Sequence, residues 1–157
     1  MFKRLFALIC LFCLSISFTV YANPSSATTI NTDSIRNIIV FENGDCLLES
    51  TPVVISEQRG SVTGQVFYRY RNSDGTVLWT ATLTGTFTYN GSTATCTAAS
   101  CETSVQSGNW HETYNHAYPS GNTAQADVTM VRKVLFITVQ TETAHLVLTC
   151  DANGNLS

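Results

Sequence analysis

The sequence predicts an all-β protein, an antiparallel two-sheet sandwich of about eight or nine strands built from hairpins and a C-terminal meander. Three observations carry that prediction. From Ile38 onward apolar and polar residues alternate with a period of two. Turn signals such as Asn43-Gly44, Asp74-Gly75, Asn90-Gly91 and Ser120-Gly121 punctuate the alternation. No stretch long enough for a helix holds a helical period. A small β-barrel is the alternative closure of the same strands.

Register justifies the strands in order, because residues directly opposite in a hairpin share a face. In "FENGDC" a two-residue Asn43-Gly44 turn sets Phe41 against Cys46 and Ile39 against Leu48, and brings Glu42 opposite Asp45 with like charge. "NSDG" at 72–75 joins Val66, Tyr68 and Tyr70 to Trp79, Ala81 and Leu83 on one face. A two-residue Asn90-Gly91 turn sets Phe87, Gly85 and Leu83 against Ala94, Cys96 and Ala98, while Thr88, Thr86 and Thr84 meet Thr93, Thr95 and Thr97. The threonines read as the wet face of a sheet, where such cross-strand pairs contribute about 0.2–1 kcal/mol each. Turns at Arg132-Lys133 and Glu142-Thr143 align Met130, Val128 and Ala126 with Leu135, Ile137 and Val139, and these with Cys150, Leu148 and Leu146. That is the meander.

Ahead of the strands, Lys3 and Arg4 precede a mostly apolar run from Leu5 to Val20, and Val20 and Ala22 are small enough for a signal-peptidase site. Residues 1–22 are therefore expected to be a cleaved signal peptide, 23–36 a polar tether and 37–157 a single β-sandwich domain. Ser15, Ser17 and Thr19 inside the run argue against a retained anchor, so no membrane span is expected after cleavage. The expected location is secreted and extracellular. The mature chain carries six basic and eleven acidic residues, a net charge of −5. Only Arg69 with Arg71 and Arg132 with Lys133 lie close together, so the charge balance points to neither nucleic acid nor an anionic membrane as a partner.

Cys10 and Cys13 leave with the signal, so Cys46, Cys96, Cys101 and Cys150 remain, an even number in an exported chain. Register places Cys96 and Cys150 on core faces, which makes them the expected disulfide, with Cys46 and Cys101 a second bridge or free thiols. A local Cys96 to Cys101 link is the competitor. Without a Cys-x-x-Cys pair, neither a zinc ribbon nor a thioredoxin-like redox site is expected.

Glu42-Asn43-Gly44-Asp45, Asn72-Ser73-Asp74-Gly75, Leu78-Trp79, "GTFTYNGSTATCT" from Gly85 to Thr97, Ser120-Gly121-Asn122 and "LTCDANGNLS" from Leu148 to Ser157 together give the chain a recognisable pattern. It resembles a group of small secreted all-β proteins of unknown function from Gram-positive, gut-type bacteria. The resemblance implies export, β structure and the Cys96 with Cys150 pairing, and no activity, ligand or catalytic residue.

"WHETYNHAY", Trp110 to Tyr118, is the segment with most chemistry. Its His111-Glu112 and His116 differ from a zinc-protease His-Glu-x-x-His, which needs histidines four apart on one helical face. Here they are five apart in a β context, on opposite faces of a regular strand. His145 joins His116 as a metal pair only if their strands are neighbours, and Glu112 meets Asp127 only across the Ser120-Gly121 hairpin. No metal, cofactor or catalytic set is expected. Trp110, Tyr114 and Tyr118 share one face of a regular strand. A two-residue Ser120-Gly121 loop points them outward beside Gln125, Asp127 and Thr129, as a stacking platform for a glycan or an extracellular protein. A longer loop or a bulge buries them instead. The functional expectation is a non-catalytic extracellular binding or structural module. Its alternatives are a secreted antimicrobial or toxin-like protein, and a carbohydrate-binding module using the Trp110, Tyr114 and Tyr118 face.

Overall fold

The computed structural model describes residues 34–106 and 108–157. The expected signal peptide and most of the tether lie outside them. Among the described residues the chain forms nine antiparallel strands: β1 Ile35–Val40, β2 Cys46–Ser50, β3 Val53–Gln58, β4 Ser61–Arg71, β5 Val77–Tyr89, β6 Ala94–Val105, β7 Trp110–Ser120, β8 Thr123–Val134 and β9 Ile137–Thr149. Ile35 and Arg36, expected in the tether, already belong to β1.

Two sheets form, and neither closes into a barrel. The larger runs β1-β2-β4-β5-β6, with β3 also on β4; the smaller is β7-β8-β9. β2 pairs with the C-terminal half of β4 and β3 with its N-terminal half. Pro52, which has no N–H to give a ladder, lies between them.

The expected alternation on β4 and β5 holds throughout. Val62, Val66, Tyr68 and Tyr70 of β4 and Trp79, Ala81, Leu83 and Phe87 of β5 are buried, while Thr80, Thr82, Thr84 and Thr86 face outward. Across the sandwich they meet Ala124, Ala126, Val128 and Met130 of β8 and Ala144, Leu146 and Leu148 of β9. Alanines opposite large side chains let the layers approach closely. Gly85 marks a close approach of the two sheets: a Cβ there would lie 2.7 Å from the Phe87 ring and 2.8 Å from the Ala124 Cβ.

Three turns depart from expectation. The loop after β1 spans residues 41–45, pairing Val40 with Cys46 and Ile39 with Leu47. Asp45 is thereby freed from Glu42 and turned inward, where it accepts a hydrogen bond from the Tyr70 hydroxyl at 2.7 Å. The Asn90 turn has four residues, because the Asn90 side-chain oxygen accepts from the N–H groups of Ser92 and Thr93. Tyr89 then pairs with Ala94 and Phe87 with Cys96, and an irregularity at Thr97 brings Gly85 opposite Ala99 and Leu83 opposite Cys101.

The third correction concerns the meander. Arg132-Lys133 is not a turn; β8 continues to Val134 and reverses at Leu135-Phe136, and β9 runs unbroken through Glu142-Thr143. Ala124, Ala126 and Val128 thereby lie opposite Leu148, Leu146 and Ala144, small residues against large ones. Leu135, Ile137 and Val139, expected in the core, are exposed. Leu135 and Phe136 both have positive φ, 48° and 70°. For residues with a Cβ that conformation costs roughly 1–2 kcal/mol each.

The four cysteines are free thiols in this structure, in place of the expected Cys96–Cys150 bridge. The Cys96 thiol contacts the Ala98 carbonyl at 3.3 Å, and the Cys150 thiol that of Asp151 at 3.4 Å. Cys46 and Cys101 cannot form the second bridge. Cys46 neighbours the inward Leu47 and so points outward, whereas Cys101 lies opposite the buried Leu83 on the inner face, and β4 and β5 stand between their strands. At about 4.8 Å per strand that separation exceeds the reach of a disulfide.

Candidate functional site: the outer face of the three-stranded sheet

β7 is a strand with a defect, and the defect creates the site. Between Glu112 and Tyr114 the pairing to β8 slips by one residue, leaving Thr113 as a bulge. Ahead of the bulge Trp110 points into the core; beyond it Tyr114, His116 and Tyr118 point out, beside Thr129, Asp127 and Gln125. Both readings of the Trp110, Tyr114 and Tyr118 trio therefore apply, to different members. The Gly121 turn keeps the parity that directs Tyr118 and Tyr114 outward, and the bulge buries Trp110 alone.

Trp110 is 3% exposed and completes an aromatic cluster. Its ring meets Tyr70 edge-on at 5.3 Å and Trp79 at 6.3 Å, while Tyr70 and Trp79 stack at 5.2 Å. Little of Trp110 is left for a ligand to stack on.

The outer face carries a ladder instead. His116 stacks on Tyr118 with ring centroids 5.4 Å apart and approaches Tyr114 at 6.4 Å. Three rows cross the sheet: Tyr118, Gln125 and Val147; His116, Asp127 and His145; Tyr114, Thr129 and Thr143. The Tyr118 hydroxyl donates to the Gln125 side-chain oxygen at 2.9 Å, and Asp127 pairs with the Nδ1 of His145 at 2.7 Å. The Thr129 and Thr143 hydroxyls meet at 3.4 Å. The result is a row of rings, His116 against Tyr118 and Tyr114 tilted beside them, bordered by carboxylate, amide, imidazole and hydroxyl groups.

At the free edge of β9 this face adjoins a cleft of about 240 Å³, lined by Ile39, Leu47, Glu49, Tyr68, Ala144 and His145 among others. Its walls come from β1, β2 and β4 of the larger sheet and from β9 of the smaller. Its polar members are tied together: Glu49 accepts from the Tyr68 hydroxyl at 2.6 Å and pairs with Arg36.

Other combinations weighed from the sequence do not assemble. His116 and His145 stand on strands separated by β8, with Asp127 between them. The bulge brings His111 and His116 onto one face rather than opposite faces, and among the described residues no group of three or more side chains could hold a metal ion. Glu112 and Asp127 fall on opposite faces; Glu112 accepts from Thr103 at 2.6 Å and from Asn115 at 3.0 Å. Among the described residues no helix is long and apolar enough to cross a membrane.

No family model matches the chain, and neither does any curated protein or solved structure. The site therefore rests on its own geometry. His116 as a member of the ladder was legible in the i, i+2, i+4 spacing of Tyr114, His116 and Tyr118. Asp45 was not: its inward turn depends on a five-residue loop that Asn43-Gly44 alone disguises as a two-residue one.

Proposed function

We propose that the protein is a non-catalytic, extracellular carbohydrate-binding module that takes an oligosaccharide along the outer face of β7-β8-β9. The observation that carries this reading is the ladder of exposed Tyr114 and His116 and half-buried Tyr118. Aromatic faces stack on the C–H faces of pyranose rings, and the flanking Gln125, Asp127 and His145 supply hydrogen-bond partners for hydroxyls. Tyr114 and Tyr118 lie roughly 13 Å apart at the rise of a β-strand, a span that suits an oligosaccharide better than a single sugar. Export with removal of residues 1–22 supports the setting, as does the likeness to small secreted proteins of Gram-positive bacteria; both rest on the sequence.

The test is a glycan array followed by titration of the best oligosaccharide against the mature protein and its Tyr118→Ala and Tyr114→Ala variants. Each variant is expected to keep its fold and lose about tenfold in affinity, the equivalent of one ring contact near 1.4 kcal/mol. Absence of any glycan binding, or binding indifferent to both substitutions, rejects the reading.

A further inference from the structure

The tip of the β8–β9 hairpin is the least explained part of the molecule. Val134, Leu135, Phe136 and Ile137 are four consecutive apolar residues, exposed by 41%, 85%, 99% and 67%. Leu135 and Phe136 form the two-residue turn in the left-handed backbone region that glycine and asparagine favour. Neither turn chemistry nor packing accounts for these two side chains. Strain combined with apolar exposure is a mark of function rather than of folding.

We propose that this tip inserts into the interface of an anionic phospholipid bilayer. The shape selects the partner. Side chains alternate between the two faces of a hairpin, so four apolar residues in a row make both faces of the tip apolar, and a protein surface docked against one face would leave the other in water. A fluid acyl layer surrounds the tip completely. Charge points the same way. Arg132 and Lys133 lie directly behind the tip, and no acidic residue occurs between Val131 and Thr141. Cations placed behind an apolar wedge sit at headgroup depth when the wedge enters the acyl boundary. A concavity of about 420 Å³ under the turn, lined by Asn109, His111, Lys133, Leu135 and Phe136, gives a headgroup phosphate room beside the Lys133 ammonium. The Lys133 N–H donates to the Asn109 carbonyl at 2.9 Å, which ties this shelf to the start of β7. The inference is independent of the glycan reading, because the two surfaces share no residue.

Co-sedimentation of the mature chain with vesicles tests it, using phosphatidylcholine alone and phosphatidylcholine mixed with phosphatidylglycerol. Wild type is expected to sediment with the mixed vesicles and more weakly with the neutral ones. Phe136→Asp should lower partitioning about tenfold or more on both, and Lys133→Gln about fivefold on the mixed vesicles only. A Leu135→Asn, Phe136→Gly double variant separates binding from folding: it should melt at a higher temperature than wild type and no longer sediment. Failure of wild type to bind either vesicle overturns the proposal, as does a Phe136→Asp variant that binds normally. Concentration-dependent dimerisation abolished by Phe136→Asp, with no vesicle binding, would assign the tip to self-association instead.

Discussion

The Tyr70 hydroxyl donates its hydrogen to Asp45 at 2.7 Å while accepting one from the Gln140 amide at 2.8 Å, so one side chain of β4 joins the β1–β2 loop to β9. Asp45 is otherwise held by the Asn43 amide at 2.9 Å and the Ser73 N–H at 3.2 Å, and Glu142 stands 3.4 Å from the same hydroxyl. Tyr70→Phe keeps the stack on Trp79 but strips nearly buried Asp45 of its strongest donor. The expected loss is about 1–3 kcal/mol in urea unfolding. Asp45→Asn, which remains an acceptor for Tyr70, should lose less, and equal losses would show that the hydroxyl is not what Asp45 needs.

Alkaline pH should unfold the protein in two stages. Burial pushes the Cys101 thiol up to about 11, with Glu112 adding to the shift. Burial also raises Tyr68 and Tyr70, helped by the hydrogen bonds to Glu49 and Asp45. In each case the folded state favours the protonated form. The stability this contributes is complete below the unfolded pKa and is lost as pH rises through the folded one. Denaturation midpoints should therefore begin to fall above roughly pH 9, the thiol range, and more steeply above roughly pH 10, the tyrosine range. Cys101→Ala should shrink the first decline without abolishing it, because burial also raises the Cys96 and Cys150 thiols, and Tyr68→Phe should flatten the second. A midpoint unchanged up to pH 11 would contradict both assignments.

Gly85→Ala probes the close approach of β5 to β8. The added methyl would meet the Phe87 ring and the Ala124 methyl at distances real Cβ atoms do not adopt, so one layer must shift. Overpacking of this kind costs typically about 1–3 kcal/mol. Thermal unfolding measures it, and Ala124→Gly in the same chain should recover part of the loss. No recovery would place the strain on Phe87 alone.

Register arithmetic reached the sandwich, the inward faces of β4 and β5 and the outward threonines, because those strands are regular and parity survives any even error in loop length. It failed where an odd number of extra residues enters a strand or a loop. The Asn43 turn holds five residues rather than two, which moved Asp45 inside. The bulge at Thr113 split a trio that a regular strand keeps together. At the β8–β9 turn the signal itself misled, since Leu135-Phe136 has none of the residues that a positive-φ turn favours and apolar side chains normally indicate core. Bulges and strained turns leave little trace in composition, and here they shape both the ladder and the apolar tip.

Deleting Thr113 tests the bulge directly. With the extra residue gone, Glu112 and Tyr114 become neighbours opposite Met130 and Thr129, which are themselves neighbours, so a straightened β7 keeps its pairing with β8 on both sides. Trp110 then stays in the Tyr70 and Trp79 cluster and the Tyr114, His116 and Tyr118 ladder stays outside. The deletion variant is therefore expected to keep wild-type tryptophan fluorescence and oligosaccharide binding. Trp110→Ala, which does empty the cluster, should cost about 3–5 kcal/mol in urea titration. A deletion variant that loses stability as Trp110→Ala does, or that no longer binds in calorimetric titration, would mean that Thr113 does more than occupy the extra place in β7.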